Sequence, residues 1–164
     1  MAADLAGAIF TLLQADGTLT ALATGGGYQI DKLGAGYADK HPINPEDTPA
    51  AYATSANVSR LQPCYTVATQ SRTTPGLKQL QVVVEIRCYE RSGYVNTRAM
   101  LDRIYVLLMG ANGEGTYLTA GGKQYKVEHS TDLTSLYDDS IPAGQGKRGA
   151  SVEAATYAGL GGTP

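Results

Sequence analysis

Residues 78–109 constrain the fold most tightly, because over this short span the apolar period changes from two residues to that of a helix. Leu80, Val82, Val84, Ile86 and Cys88 recur at every second position, while Gln81, Glu85 and Arg87 point the other way. That is the pattern of a strand with one face in a core. After Ser92 and Gly93, Leu101, Ile104, Tyr105 and Leu108 fall at i, i+3, i+4 and i+7, and Met100 and Leu107 widen the stripe. Gly110 suits the end of this helix. The stripe needs a partner, and the nearest is the apolar face of the preceding strand, so a helix laid across an antiparallel sheet is expected.

The flanking chain fits this frame. Leu5, Ile9, Leu12 and Leu13 line one face of a helix over residues 3–14, with Asp4 favourably placed at its start. Asp16 and Gly17 break it, and Thr18 is positioned to cap a further turn presenting Leu19 and Leu22. Gly25, Gly26 and Gly27 follow a helix and precede the short strand of Tyr28, Gln29 and Ile30, the reverse of a phosphate-binding loop. Residues 63–69 have strand composition, 117–119 and 124–129 form a hairpin, and 150–158 form a last strand. Alternation weakens over 132–137. Residues 138–148, with Pro142, Gly144 and Gly146, read as a loop, and 159–164 as a loose tail. Residues 31–62 lose periodicity and collect Gly34, Gly36, Pro42, Pro45 and Pro49, which reads as an extended loop or arm. The expectation is one α+β domain over 1–164: an antiparallel sheet of about four to five strands carrying an N-terminal and a central helix, plus long irregular arms.

Charge excludes some classes of function. The formal net charge of −2 argues against a general nucleic-acid binder. Residues 1–59 carry two basic and six acidic side chains, 60–103 carry seven and three, and 104–164 carry four and six. Such complementary segments favour contacts in which one surface meets a different one on the next subunit. No apolar run reaches the length of a membrane span, and the first residues lack the basic start of a signal peptide, so a cytoplasmic setting is expected. Cys64 and Cys88 are too few for a metal cage. If Tyr65 and Val67 face the core, Cys64 faces away from it while Cys88 faces in.

Catalytic patterns are weak. Gly122 and Lys123 lack the upstream glycine and the following Ser/Thr of a P-loop. His129 with Glu128 and Asp132 is the nearest approach to an acid/base or metal site, and the Asp138–Asp139 pair reads as a solvated turn. No serine sits in a nucleophile elbow. No catalytic, cofactor-binding or metal site is assigned.

The order of elements, with the strand opening Pro63, Cys64, Tyr65, Thr66, Val67 and the strand ending Tyr89, Glu90, Arg91, Ser92, Gly93 immediately before a helix, resembles the tail terminator, or tail completion, proteins of long-tailed bacteriophages. Here residues 31–62 are longer than the usual connection, and Cys64 intervenes between Pro63 and Tyr65. The resemblance implies a non-enzymatic virion subunit that forms a ring, commonly a hexamer, on the head-proximal end of the tail tube. Such a ring stops tube polymerisation and presents the joining surface for the head or neck. Its implied partners are itself, the tail tube protein and a connector or neck protein, with DNA passing through the ring but no sequence-specific DNA contact. It implies no cofactor, and assembly in a host cytoplasm. Another head-to-tail connector role, or a small enzyme using His129, are the alternatives.

The residues themselves nominate interface candidates: Glu85 and Arg87 on the outward side of the central strand, Arg91 after it, Glu46 and Asp47 in the first arm, and Lys147 and Arg148 in the second.

Overall fold

The structure is a computed structural model in which residues 4–29, 62–73, 81–91, 93–144 and 147–161 are described. The chain runs α1 (Leu5–Gln14), α2 (Gly17–Leu22), β1 (Gly26–Gln29), β2 (Cys64–Thr73), β3 (Gln81–Glu90), α3 (Val95–Met109), β4 (Tyr117–Ala120), β5 (Lys123–Gly144) and β6 (Lys147–Gly161). The fold is α+β, as the periodicity predicts. The sheet has six strands in the order β1-β2-β3-β6-β5-β4, because the four-residue β1 and β4 complete its edges. It is not wholly antiparallel: β1 pairs parallel to β2. β3 and β6 form its centre.

Alternation on β3 places Val82, Val84, Ile86 and Cys88 under the helices, where each is buried. α3 lies against β3, β5 and β6 through Met100, Leu101, Ile104 and Leu108, while Tyr105, expected in the apolar stripe, sits at the edge of the interface and is partly exposed. α1 touches both edge strands, β1 and β4, so the sheet curls around it and buries Leu5, Ile9 and Leu13. Leu5 rests directly on Gly159 of β6, where any Cβ would run into the leucine side chain. Glycine there lets helix and sheet approach closely.

The caps show which polar side chains hold these elements. Asp4 accepts the Gly7 amide at 2.7 Å at the start of α1. The cap of α2 is Asp16, not Thr18: its Oδ2 accepts the Leu19 amide at 2.7 Å. Gln14 Nε2 donates to the Tyr65 hydroxyl at 2.6 Å, tying the end of α1 to β2.

Two expected irregular segments are strand. Residues 138–144 continue β5 and 147–149 open β6, with Gly144 paired to Lys147. Pro142 fits because β5 pairs with β4 only at residues 123–126 and its register with β6 shifts on both sides of Pro142, an irregular position of the kind proline takes in a sheet. β6 also continues through Gly161, opposite Tyr125, and residues 162–164 of the expected tail lie outside the described residues. Of the expected first arm, Gln62 alone is described. Cys64 and Cys88 lie on opposite faces of the sheet, as expected, and both are buried free thiols. Cys64 joins a second small cluster with Tyr28, Tyr89, Ala150 and Val152. Among the described residues no helix is long and apolar enough to cross a membrane.

Candidate functional site

β5 and β6 make a hairpin that outruns the sheet. The last pair between β3 and β6 is Glu90 with Ser151, whereas β6 begins at Lys147, so its first four residues pair only with β5. At about 3.3 Å per residue the two-stranded arm reaches roughly 13 Å beyond β3.

The register of β5 decides what the hairpin presents at the base of this arm, where β6 still pairs with β3. Leu133 pairs with Ala154 and Leu136 with Val152, so one extra residue is accommodated between them, and Ser135 takes a φ of 57°. Three positions apart, the two leucines would face opposite ways on a regular strand; the bulge turns both to the face away from the helices. They are 43% and 42% exposed, beside Val152 and Ala154. Tyr137, 61% exposed, pairs with Ser151. The arm is also tied at its base, where the Tyr94 hydroxyl donates to the Leu136 carbonyl at 2.8 Å. Sequence periodicity missed this apolar strip because the bulge that creates it destroys the alternation.

The helix-facing side of the hairpin meets α3 in a polar cavity of about 150 Å³ lined by Arg98, Leu101, Asp102, Tyr105, Asp132, Thr134, Glu153 and Tyr157. The N-terminus of α3 has no side-chain cap of its own; Glu90 of β3 supplies one, accepting the Thr97 amide at 2.7 Å. Beside it, buried Glu153 holds Arg98 Nη2 at 3.2 Å and lies within hydrogen-bond distance of the Thr97 hydroxyl. Carboxylates suit this end of a helix, where unpaired amides carry partial positive charge. His129 Nε2 donates to Asp132 Oδ1 at 2.8 Å, and its ring meets Tyr105 and Tyr157 edge-on at centroid distances of 5.4 and 5.3 Å. Burial, helped by the nearby Asp132 charge, pushes the Tyr157 hydroxyl well above its ordinary range, so Tyr157 is a neutral wall.

The other nominated residues are scattered. Glu85 and Arg87 share the outer face of β3 and form an ion pair with each other; Gln70 Nε2 also donates to Glu85 at 3.5 Å. The bond that Arg87 Nε itself donates to Glu85 is the first cause that holds the Arg87 guanidinium above its ordinary pKa. Arg91 is half-buried in the turn before α3. Glu46 and Asp47 lie outside the described residues, and of Lys147 and Arg148 only the backbone is described, at the start of β6. Glu128 sits apart from His129, with Lys126 Nζ at 4.0 Å. Among the described residues no group of three or more His, Cys, Asp or Glu side chains could hold a metal ion.

No protein-family model matches the chain, and no curated protein matches it. Among solved structures the fold is similar to a chain described as "Virion of native gene transfer agent (GTA) particle", at 13% sequence identity and a TM-score of 0.54, over 96% of this chain and 95% of that one. At that identity the likeness is one of fold.

Proposed function

We propose that this chain is a structural subunit of a phage-like virion, and that it caps the head-proximal end of a tail tube as a homo-oligomeric ring, stopping polymerisation and forming the joining surface for the neck. The observation that carries the reading is the β5–β6 hairpin: it runs on beyond β3, and at the base of that projection β5 turns Leu133 and Leu136 to an exposed face beside Val152 and Ala154, a combination made to reach a neighbouring molecule. End-to-end fold likeness to a chain of a virion particle supports the same class of role. The work required is geometric. One surface matches the last tube ring, another matches the neck, and the tube end loses its site for further addition, with no bond-making step. Sixfold closure and a single domain spanning 1–164 belong to this proposal.

The test is the mass of the purified protein by light scattering, with negative-stain images with and without tail tubes. Rings, or monomers that form rings on tube ends and hold tube length fixed, are expected. Replacing both Leu133 and Leu136 by aspartate should abolish assembly while leaving the thermal unfolding midpoint nearly unchanged. A compact monomer that ignores tubes at every concentration overturns the reading.

A further inference from the structure

One residue decides whether the apolar strip on the hairpin exists. Between Leu133, opposite Ala154, and Leu136, opposite Val152, Thr134 and Ser135 share the single position facing Glu153. Thr134 lines the cavity against α3, so Ser135 is the surplus residue. Its φ of 57° lies in the left-handed region, which serine enters at a cost and a β-branched residue scarcely enters at all. Among the described residues no other non-glycine residue has a positive φ. The Ser135 side chain is exposed, so the position acts through its backbone rather than through packing. Were that backbone extended, Leu136 would stand opposite Ser151 and turn toward the helices, leaving Leu133 alone beside Val152 and Ala154. The register shifts again at His129/Thr131, Asp138/Pro142 and Pro142/Gly144, each time with the surplus on β5. Bulges along an open edge deter the addition of a further strand. The bulge at Ser135 differs in having an exposed leucine on either side, and the Tyr94 hydroxyl holds the carbonyl of the second at 2.8 Å.

We infer that Ser135 is the positioning residue of the subunit contact: its left-handed backbone sets Leu133 and Leu136 side by side, and the neighbouring copy meets the pair as one apolar face instead of adding a strand to the edge of β5. This rests on the ring reading above for the existence of the contact and deepens it by naming what shapes the surface. A position that acts by its place in the count of residues has an unusual property: removing it does less harm than changing it. Without Ser135, Leu133 and Leu136 stand two apart on a regular strand and still share a face. With a β-branched residue in its place the left-handed turn is opposed, and Leu136 is driven toward the helices.

The test uses the full chain in three altered forms: Ser135→Gly, Ser135→Val and deletion of Ser135. Folding is checked by circular dichroism and the unfolding midpoint, and association is read by analytical ultracentrifugation, alone and with tail tubes. Ser135→Gly, which takes a positive φ freely, and the deletion should associate within about threefold of wild type. Ser135→Val should associate at least about tenfold more weakly while keeping the wild-type circular dichroism. A residue that only holds the strand in shape gives the opposite order, with the deletion most damaging. A folded deletion form as weak as Ser135→Val, or Ser135→Val as strong as wild type, overturns the inference. Should the deletion form not fold, the two substitutions decide: equal association by Ser135→Gly and Ser135→Val overturns it. If all three forms associate and cap tubes as wild type does while the double aspartate variant at Leu133 and Leu136 does not, the role of Ser135 falls and the capping role stands. If the expected order holds in self-association but no form, wild type included, caps tubes, the capping role falls and the role of Ser135 stands. A wild type that stays monomeric in every condition overturns both.

Discussion

Arg103 grips Asp16 with two hydrogen bonds, Nη2 to Oδ1 at 2.6 Å and Nε to Oδ2 at 3.0 Å, across 87 residues of sequence. Because Oδ2 also caps α2 through the Leu19 amide, one carboxylate starts a helix and locks it to α3.

These bonds, that from Arg103 first and that from Leu19 next, lower the Asp16 pKa from 3.8 to about 2. A carboxylate more acidic in the folded than in the unfolded state stabilises the fold above its unfolded pKa, and that stabilisation is lost as pH falls through the folded value. Urea unfolding at stepped pH should therefore show wild type losing stability from about pH 4 to about pH 2 more steeply than Asp16→Asn. At neutral pH, Asp16→Ala should cost about 1–2 kcal/mol through the lost cap. Parallel pH curves for wild type and Asp16→Asn would show that the ion pair contributes nothing.

Glu153 is a buried carboxylate whose charge is matched by a half-exposed arginine. Arg98→Ala strands that charge and should destabilise the protein by about 1–3 kcal/mol in urea. Glu153→Gln removes the charge and keeps an acceptor for Thr97, so it should cost less than Arg98→Ala. The reverse order would mean that the carboxylate serves α3 rather than Arg98.

Gly159→Ala puts a methyl group into Leu5 and should cost about 1–3 kcal/mol by overpacking. Adding Leu5→Ala to that variant relieves the clash, so a double-mutant cycle should give a favourable coupling. Additive losses would place the strain elsewhere.

Tyr94→Phe removes the bond to the Leu136 carbonyl and should leave global stability within about 1 kcal/mol of wild type. Amide hydrogen exchange should nonetheless quicken in β5 around Leu136, because the arm loses its tie to the start of α3. Exchange unchanged there would mean that strand pairing alone holds the arm.

Much of the fold was legible because it is written in local periods. The strand at 81–90, the helix at 95–109 and the N-terminal helix each follow from neighbours a few residues apart, and so does the placement of Cys64 and Cys88 on opposite faces of the sheet. The arm was not, since Pro142, Gly144 and Gly146 carry the composition of a loop, and only pairing across to residues 147–150 makes that segment a strand. The apolar strip was hidden for the same reason: Leu133 and Leu136 share a face only once the register with β6 has slipped.

The sequence by itself determined the α+β class, the strand-to-helix switch at the centre and the apolar faces that meet there, because hydrophobic spacing acts over one or two turns of chain. Tertiary structure alone decided that β1 runs parallel to β2, that Asp16 answers to Arg103, that Glu90 caps a helix whose own cap position is a tyrosine, and that Glu153 lies buried in a cavity rather than on a solvated face. Each of these depends on which distant backbone lies alongside, a choice fixed by burying all the apolar faces together and carried by no single stretch of residues.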